Sequence, residues 1–206
     1  MAGNTSGRLS AEERREKTLK SVAEEFAENG FEGTRMADLA EAADISEAML
    51  VKLYESKENL YSELIKQKIE QKPGTPFPDE ELDELSPSDV LLTLAMELAS
   101  RCDEDQTFLR LLYYSALEDN ELSDMFYEER IQKLQEQLSS YMRDQIEQGT
   151  FRDLDPDQAA TGFMGMISHV LCMKHIFQFP LPTGEDIDED LMKTFVDVFL
   201  EGVRAQ

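Results

Sequence analysis

TRMADLAEAADISEAMLVKLYESK, residues 34–57, is the stretch whose reading decides the fold. Met36, Leu39, Ala40 and Ala43 recur at helical spacing and predict a short helix with one apolar face. Thr34 is its candidate N-cap, and Asp38 lies one turn in. Asp44-Ile45-Ser46 interrupts the pattern. Asp tolerates the left-handed backbone that ends many helices, Ile45 can plug the gap between two helices, and Ser46 can cap the next one. Glu47 to Tyr54 forms that second helix, and Ser56 is placed to cap a third from Lys57 onward. Two short helices around a compact turn make a helix-turn-helix, whose second helix can enter the major groove of DNA.

Working outward, helix 1 is expected from Ala11 to Asn29, with Leu19, Val22, Ala23 and Phe26 as its apolar stripe and Gly30 at its left-handed end. The spaced set Phe26, Gly30, Phe31, Thr34, Leu39-Ala40, Ala43, Ile45-Ser46, Leu50, Tyr54 and Ser56-Lys57 resembles the N-terminal domain of the TetR family of bacterial transcription regulators. A second point of resemblance is Gly149 to Pro156 followed by Asp157-Gln158-Ala159-Ala160, similar to the junction before the penultimate helix of many TetR-type C-terminal domains. The resemblance implies an all-α fold of about nine helices. A flexible arm (1–10) precedes a three-helix DNA-binding domain (11–58), and a larger helical ligand-binding and dimerisation domain follows (59–206).

Read at about 100° per residue, the second helix of the motif turns Leu50 and Tyr54 inward and Ala48, Met49 and Lys52 outward, with Glu47 and Val51 on one edge and Leu53 on the other. The residues expected to meet DNA are Thr34, Arg35, Met36, Glu47, Ala48, Met49, Val51, Lys52 and Lys57. The family commonly has Gly at 44, Gly at 48, Thr at 49 and Tyr at 51. This chain has Asp44, Ala48, Met49 and Val51, and so lacks the hydroxyls expected on phosphate. Ala48, Met49 and Val51 suit thymine methyls, and Lys52 suits guanine or phosphate. Thr34 and Lys57 each stand at a helix N-terminus, where N–H groups favour a phosphate.

Charge pulls the other way. The 206 residues hold 20 Lys and Arg against 44 Asp and Glu, a net −24. DNA affinity comes largely from neutralised phosphates, so such a balance argues against nucleic acid. Its distribution softens the objection, because residues 1–72 carry net −4 and residues 73–206 net −20. A polyacidic surface is also a device of salt-adapted proteins. No run of 18 apolar residues predicts a membrane span, the N-terminus shows no secretory signal, and the expected compartment is the cytoplasm.

Beyond Lys72, Pro73 to Pro78 stops the fourth helix, and the acidic stretch Asp79 to Glu84 reads as a solvated loop. Ser86-Pro87 opens a buried helix ending near Arg101, and Phe108 to Leu117 belongs to another. A long helix from Asn120 to Gln148 carries Leu122, Met125, Phe126, Ile131, Leu134, Leu138, Tyr141, Met142 and Ile146. Asp155-Pro156 opens a helix, apolar most of the way round, expected to run to Phe177. The last helix, Asp188 to Arg204, has two apolar seams. One seam serves its own domain, and a second implies a homodimer, with Phe163, Ile167, Leu191, Phe195, Val198 and Phe199 as the expected interface. The resemblance adds a pocket for a small apolar or amphipathic inducer, with Met96, Phe108, Tyr113, Tyr114, Met142, Met164, Met166, His169 and Phe177 as soft walls.

An enzyme is not expected. His169 and His175 are the only histidines and lie on different helix faces, His169 and Cys172 make two ligands rather than a metal site, and no cofactor fingerprint or nucleophile motif is present. Cys102 and Cys172 read as buried thiols. Two function classes follow: a dimeric, ligand-responsive DNA-binding regulator, most often a repressor of a palindromic operator, or a module of the same fold that has lost DNA binding.

Overall fold

Helix ends written into the sequence set the element boundaries. The computed structural model describes residues 11–71, 74–78, 85–118, 124, 127–181, 184 and 186–205; the expected arm (1–10), the acidic loop (79–84), and Leu122, Met125 and Phe126 lie outside them. Nine α-helices stand among the described residues: α1 (Ala11–Gly33), α2 (Met36–Ala42), α3 (Glu47–Tyr54), α4 (Lys57–Gln71), α5 (Pro87–Glu104), α6 (Gln106–Leu117), α7 (Lys133–Glu147), α8 (Pro156–His175) and α9 (Glu189–Val203). Ser46, Ser86, Asp155 and Asp188 each accept a backbone N–H at the start of α3, α5, α8 and α9.

Two helices end in the same way. At the end of α2 the Asp44 N–H bonds the Glu41 carbonyl and the Ile45 N–H bonds the Ala40 carbonyl, both at 3.0 Å, with Asp44 at φ 55°. At the end of α7, Gly149 and Thr150 repeat the pattern on Ile146 and Gln145, with Gly149 at φ 77°. Both are Schellman motifs, which need a residue tolerant of positive φ at the first position outside the helix. The left-handed role expected of Asp44 is the one it takes.

By their internal packing the residues form two units, Met1–Gln71 with Arg110–Ser123, and Lys72–Leu109 with Asp124–Gln206. Thus α4 and most of α6 pack with the helix-turn-helix, whereas the boundary expected at residue 58 assigns them to the C-terminal body. In the first unit Phe26, Leu39, Leu50, Leu60, Tyr61 and Leu64 are fully buried, and Phe26, Phe31 and Tyr61 meet ring to ring at 4.9–6.1 Å. In the second, Leu91, Leu94, Leu138, Met142, Phe163, Ile167, Met192, Val196 and Leu200 close the core of α5, α7, α8 and α9.

Three expectations change. The long helix before Gly149 is not one α-helix: Tyr127–Gln132 is a π-helical turn leading into α7, and it leaves Ile131 exposed instead of on the core stripe. The penultimate helix ends at His175, and Phe177 and Phe179 stack on each other in the segment beyond it, each 58% exposed. Cys102 and Cys172 form no disulfide and are half-buried rather than buried.

Lys174 and His175, in the last turn of α8, meet Asp103 of α5. Lys174 Nζ donates to Asp103 Oδ1 at 2.7 Å, while His175 Nε2 stands 3.5 Å from the same oxygen with no hydrogen bond. Burial lowers the His175 pKa, and Asp103 only partly opposes it. His175 is therefore a buried histidine with an open nitrogen, and His169 is exposed on α8.

Candidate nucleic-acid interface

Leu50 and Tyr54 anchor α3 in the core, so its opposite face is presented to solvent. Glu47, Ala48, Val51 and Lys52 are exposed, with Val51 at 43%, while Met49 and Leu53 are half-buried. The centre of the face is therefore Glu47-Ala48-Val51-Lys52, and Met49 stands at its edge rather than its middle. Ser46 Oγ accepts the Met49 N–H at 3.2 Å and fixes the start of the helix.

The corner that carries α3 is held by polar contacts the sequence did not advertise. Thr34 does not cap α2. The N-cap is Arg35, whose N–H bonds the Asp38 carboxylate at 3.2 Å, and Thr34 is buried one residue earlier with its hydroxyl donating to the Gly30 carbonyl at 2.6 Å. Its hydroxyl proton is committed inside the protein. Lys57 is committed too. Its ammonium donates to the carbonyls of Phe31 at 2.7 Å and Thr34 at 3.0 Å, and it lies 4.2 Å from the centre of the Phe31 ring. Lys57 thus ties the start of α4 to the entry of α2. Arg35 is exposed and Met36 half-buried.

Beneath α3, Arg15 lies 5.1 Å from the Tyr54 ring centre and forms a two-pronged ion pair with Glu63 of α4. The pair raises the Arg15 pKa. Desolvation pushes the Tyr54 phenol up to about 12, with Glu63 adding to it. At the far end of α3, Glu55 has φ 68° and ψ −46°, and the Ser56 N–H bonds the Tyr54 carbonyl at 2.8 Å. That is a γ-turn on the rare, strained side of φ, and it turns the chain sharply into α4.

The second unit holds a surface cavity of about 330 Å³ lined by Met96, Ala99, Ser100, Asp103, Glu104 and Ile187. Of the expected inducer walls only Met96 lines it. Met142 is fully buried in the core, Phe108, Met164 and Met166 are half-buried, and His169 and Phe177 are exposed. Tyr113 and Tyr114 belong to the first unit, Tyr113 37% exposed and Tyr114 bonded to the Glu28 carbonyl. Among the expected dimer residues, Phe163, Ile167 and Leu191 are core residues of their own chain, Phe195 and Phe199 are half-buried, and Val198 is 56% exposed. Burial removes the first three from any outer face.

A helix-turn-helix on a three-helix unit, followed by an α-helical body, is what the comparisons also find. Residues 90–202, more than half of the chain, match the family described as AefR-like transcriptional repressor, C-terminal domain, and residues 19–64 match bacterial regulatory proteins, tetR family. The chain belongs to the TetR family. Solved TetR-type structures agree in fold. PfmR from Thermus thermophilus is 22% identical, with 89% of this chain and 97% of that one covered and a TM-score of 0.67. A TetR-like regulator from a Rhodococcus species is 20% identical over 94% and 97%, at 0.69. AibR, solved with isovaleryl coenzyme A and operator DNA, is 20% identical over 93% and 98%, at 0.63. No curated protein matches the chain significantly. The TetR chain is thus a transcription regulator by fold, with a DNA-binding type of N-terminal domain. Among the described residues no helix is long and apolar enough to cross a membrane, and no group of three His, Cys, Asp or Glu side chains could hold a metal ion.

Proposed function

We propose that this TetR-family chain is a ligand-responsive repressor that binds a palindromic operator in double-stranded DNA as a homodimer, in the cytoplasm. The observation that carries the reading is the solvent face of α3, where Ala48, Val51 and Lys52 stand clear of the core on a helix anchored by Leu50 and Tyr54. Ala48 and Val51 fit thymine methyls and Lys52 fits guanine or phosphate, with Arg35 as a second cation. The operator DNA bound by AibR supports the fold's suitability for this role, and its isovaleryl coenzyme A supports ligand control. The AefR-like description of the C-terminal match supports repression.

For the dimer the exposed strip favours a narrower set than the sequence suggested. Gly162 and Gly165 on α8 have open space above them, and Val198 and Gly202 stand outward on α9. Small residues on adjoining helices let a second copy approach closely. For the inducer the Met96 cavity supplies apolar walls under a carboxylate-bearing rim.

A second reading keeps one observation in its favour. Residues 32–58 hold seven carboxylates against Arg35, Lys52 and Lys57, and Lys57 is already engaged. A protein-binding module that has lost DNA would look like this. Selection of binding sites from random duplexes, at low and high salt, separates the two. Recovery of a palindrome establishes the operator and the half-site spacing. No enriched sequence at any salt favours the second reading.

A further inference from the structure

Gly30 breaks α1 with φ 74° and ψ 174°, a conformation open only to glycine. In an unbroken helix the Phe31 and Glu32 N–H groups would bond the Ala27 and Glu28 carbonyls, four residues back. The break orphans all four groups, and residues of α6 and the one just after it take up each of them. Arg110 Nε donates to the Ala27 carbonyl at 2.8 Å, and the Tyr114 hydroxyl donates to the Glu28 carbonyl at 3.3 Å. Glu118 Oε2 accepts the Phe31 N–H at 3.0 Å and its Oε1 accepts the Glu32 N–H at 3.2 Å. Residues 110, 114 and 118 are spaced by four, and the Glu118 N–H still bonds the Tyr114 carbonyl, so they line one helical face. The partners match their targets: a cation and a neutral hydroxyl on the two carbonyls, a carboxylate on the two N–H groups. A β-carbon at residue 30 would lie 2.7 Å from Glu118 Oε1 and 2.9 Å from the Tyr114 ring. All these contacts lie within the first unit.

We propose that Arg110, Tyr114 and Glu118 splint the Gly30 break, and that Glu118 is a positioning residue for DNA binding. The downstream contacts carry its effect. Thr34 bonds the Gly30 carbonyl, and Lys57 bonds the carbonyls of Phe31 and Thr34, so the segment that Glu118 fixes is the one from which α2 starts. With the splint engaged, α1 stays broken and α2–α3 is held in one placement on α4. Without it, α1 is free to close as a continuous helix, which swings Phe31 and the entry to α2 out of place. Glu118 touches no DNA in this scheme, which rests on the DNA-binding reading above.

The test compares Glu118→Ala and Glu118→Gln with the wild-type protein by operator affinity and by residue-resolved amide hydrogen exchange. Two hydrogen bonds to a charged group are lost in Glu118→Ala, and operator affinity is expected to fall about tenfold or more with the dimer intact. Gln keeps an acceptor oxygen and should fall in between. Exchange should change at Phe31 and Glu32 and quicken through residues 34–43, while residues 57–71 keep their protection. Wild-type operator affinity in Glu118→Ala overturns the proposal, as does faster exchange spread evenly over residues 11–71, which marks mere loss of stability. Should the wild-type protein select no DNA, the DNA-binding reading fails, and the exchange pattern alone decides the splint: altered protection at 34–43 supports it, and change confined to 31 and 32 overturns it.

Discussion

Replacing Lys57 by Met asks whether this lysine builds the reading head or touches DNA. The side chain keeps its length and its apolar stem but loses the ammonium. Two charge-assisted hydrogen bonds disappear, to Phe31 at 2.7 Å and Thr34 at 3.0 Å, with the contact over the Phe31 ring. Such bonds contribute about 1.5–3 kcal/mol each when sheltered, and a cation over an exposed ring about 0.5–1. Lys57 is half-buried, so water can reach the freed carbonyls and recover much of this. A net loss of about 2 kcal/mol remains. Urea unfolding followed by circular dichroism, at one protein concentration for both proteins, measures it. A Lys57→Met protein as stable as wild type but with operator binding weakened tenfold would refute the tether and return Lys57 to the phosphate.

Lys52→Ala is the complementary change: the side chain is exposed, so stability should stay within about 0.5 kcal/mol while operator affinity falls and the salt slope drops by about one per reading head, seen by fluorescence anisotropy across a salt series. Asp44→Gly relieves φ 55° in a non-glycine residue and should add about 1 kcal/mol in the same urea assay; a loss would mean that the Asp44 side chain earns its place by a contact. A β-carbon at Gly165 meets nothing within 4 Å of it in its own chain, so with Gly165→Leu the fold should survive while sedimentation at micromolar concentration shows dissociation of the proposed dimer; an unchanged dimer would move the interface away from α8. Burial pushes the phenols of Tyr54 and Tyr141 up to about 12 from their ordinary value near 10. Below pH 10 both the folded and unfolded chains keep these protons, and between 10 and 12 only the unfolded chain ionises, so stability should fall as pH rises through that window. The Tyr141 hydroxyl has no hydrogen-bond partner, so Tyr141→Phe should cost little at pH 7 and make the alkaline decline shallower; an unchanged slope in urea melts from pH 9 to 12 would contradict its burial.

Most of the fold was legible because it is written locally. Ser46, Ser86, Asp155 and Asp188 are caps, and Asp44 and Gly149 are helix ends, each set by a few neighbouring residues. The inward turn of Leu50 and Tyr54 followed from periodicity alone. What stayed hidden depends on residues distant in sequence. Lys57 reads as a surface lysine until its carbonyl partners, 23 and 26 residues away, are known. Glu118 reads as one more carboxylate in a chain of 44 acidic residues, and its partners lie 86 and 87 residues back. The dimer and pocket residues were blurred for a different reason. In α8 apolar residues cover most of the circumference, so hydrophobicity cannot separate a chain's own core from a face reserved for a partner, and Phe163 and Ile167 turn out to be core.

The acidity of the reading head bears on specificity more than on affinity. Binding to arbitrary DNA is almost wholly electrostatic and scales with the phosphates neutralised. With Lys57 half-buried on backbone carbonyls and the exposed Arg15 paired with Glu63, Arg35 and Lys52 are the remaining exposed cations among the described residues of the helix-turn-helix. A dimer would then neutralise about four phosphates or base edges through them, for a salt slope near −4 in place of the −5 to −9 that six to ten contacts give. Glu32, Asp38, Glu41, Asp44, Glu47, Glu55 and Glu58 weaken non-specific association further. The contacts proposed for Ala48 and Val51 with thymine methyls would not depend on charge and would be left intact by salt. Acidic side chains around an apolar reading face therefore reduce non-specific binding more than operator binding. A regulator built this way would need fewer cations to discriminate its site, provided the site is rich in thymine where Ala48 and Val51 would meet it.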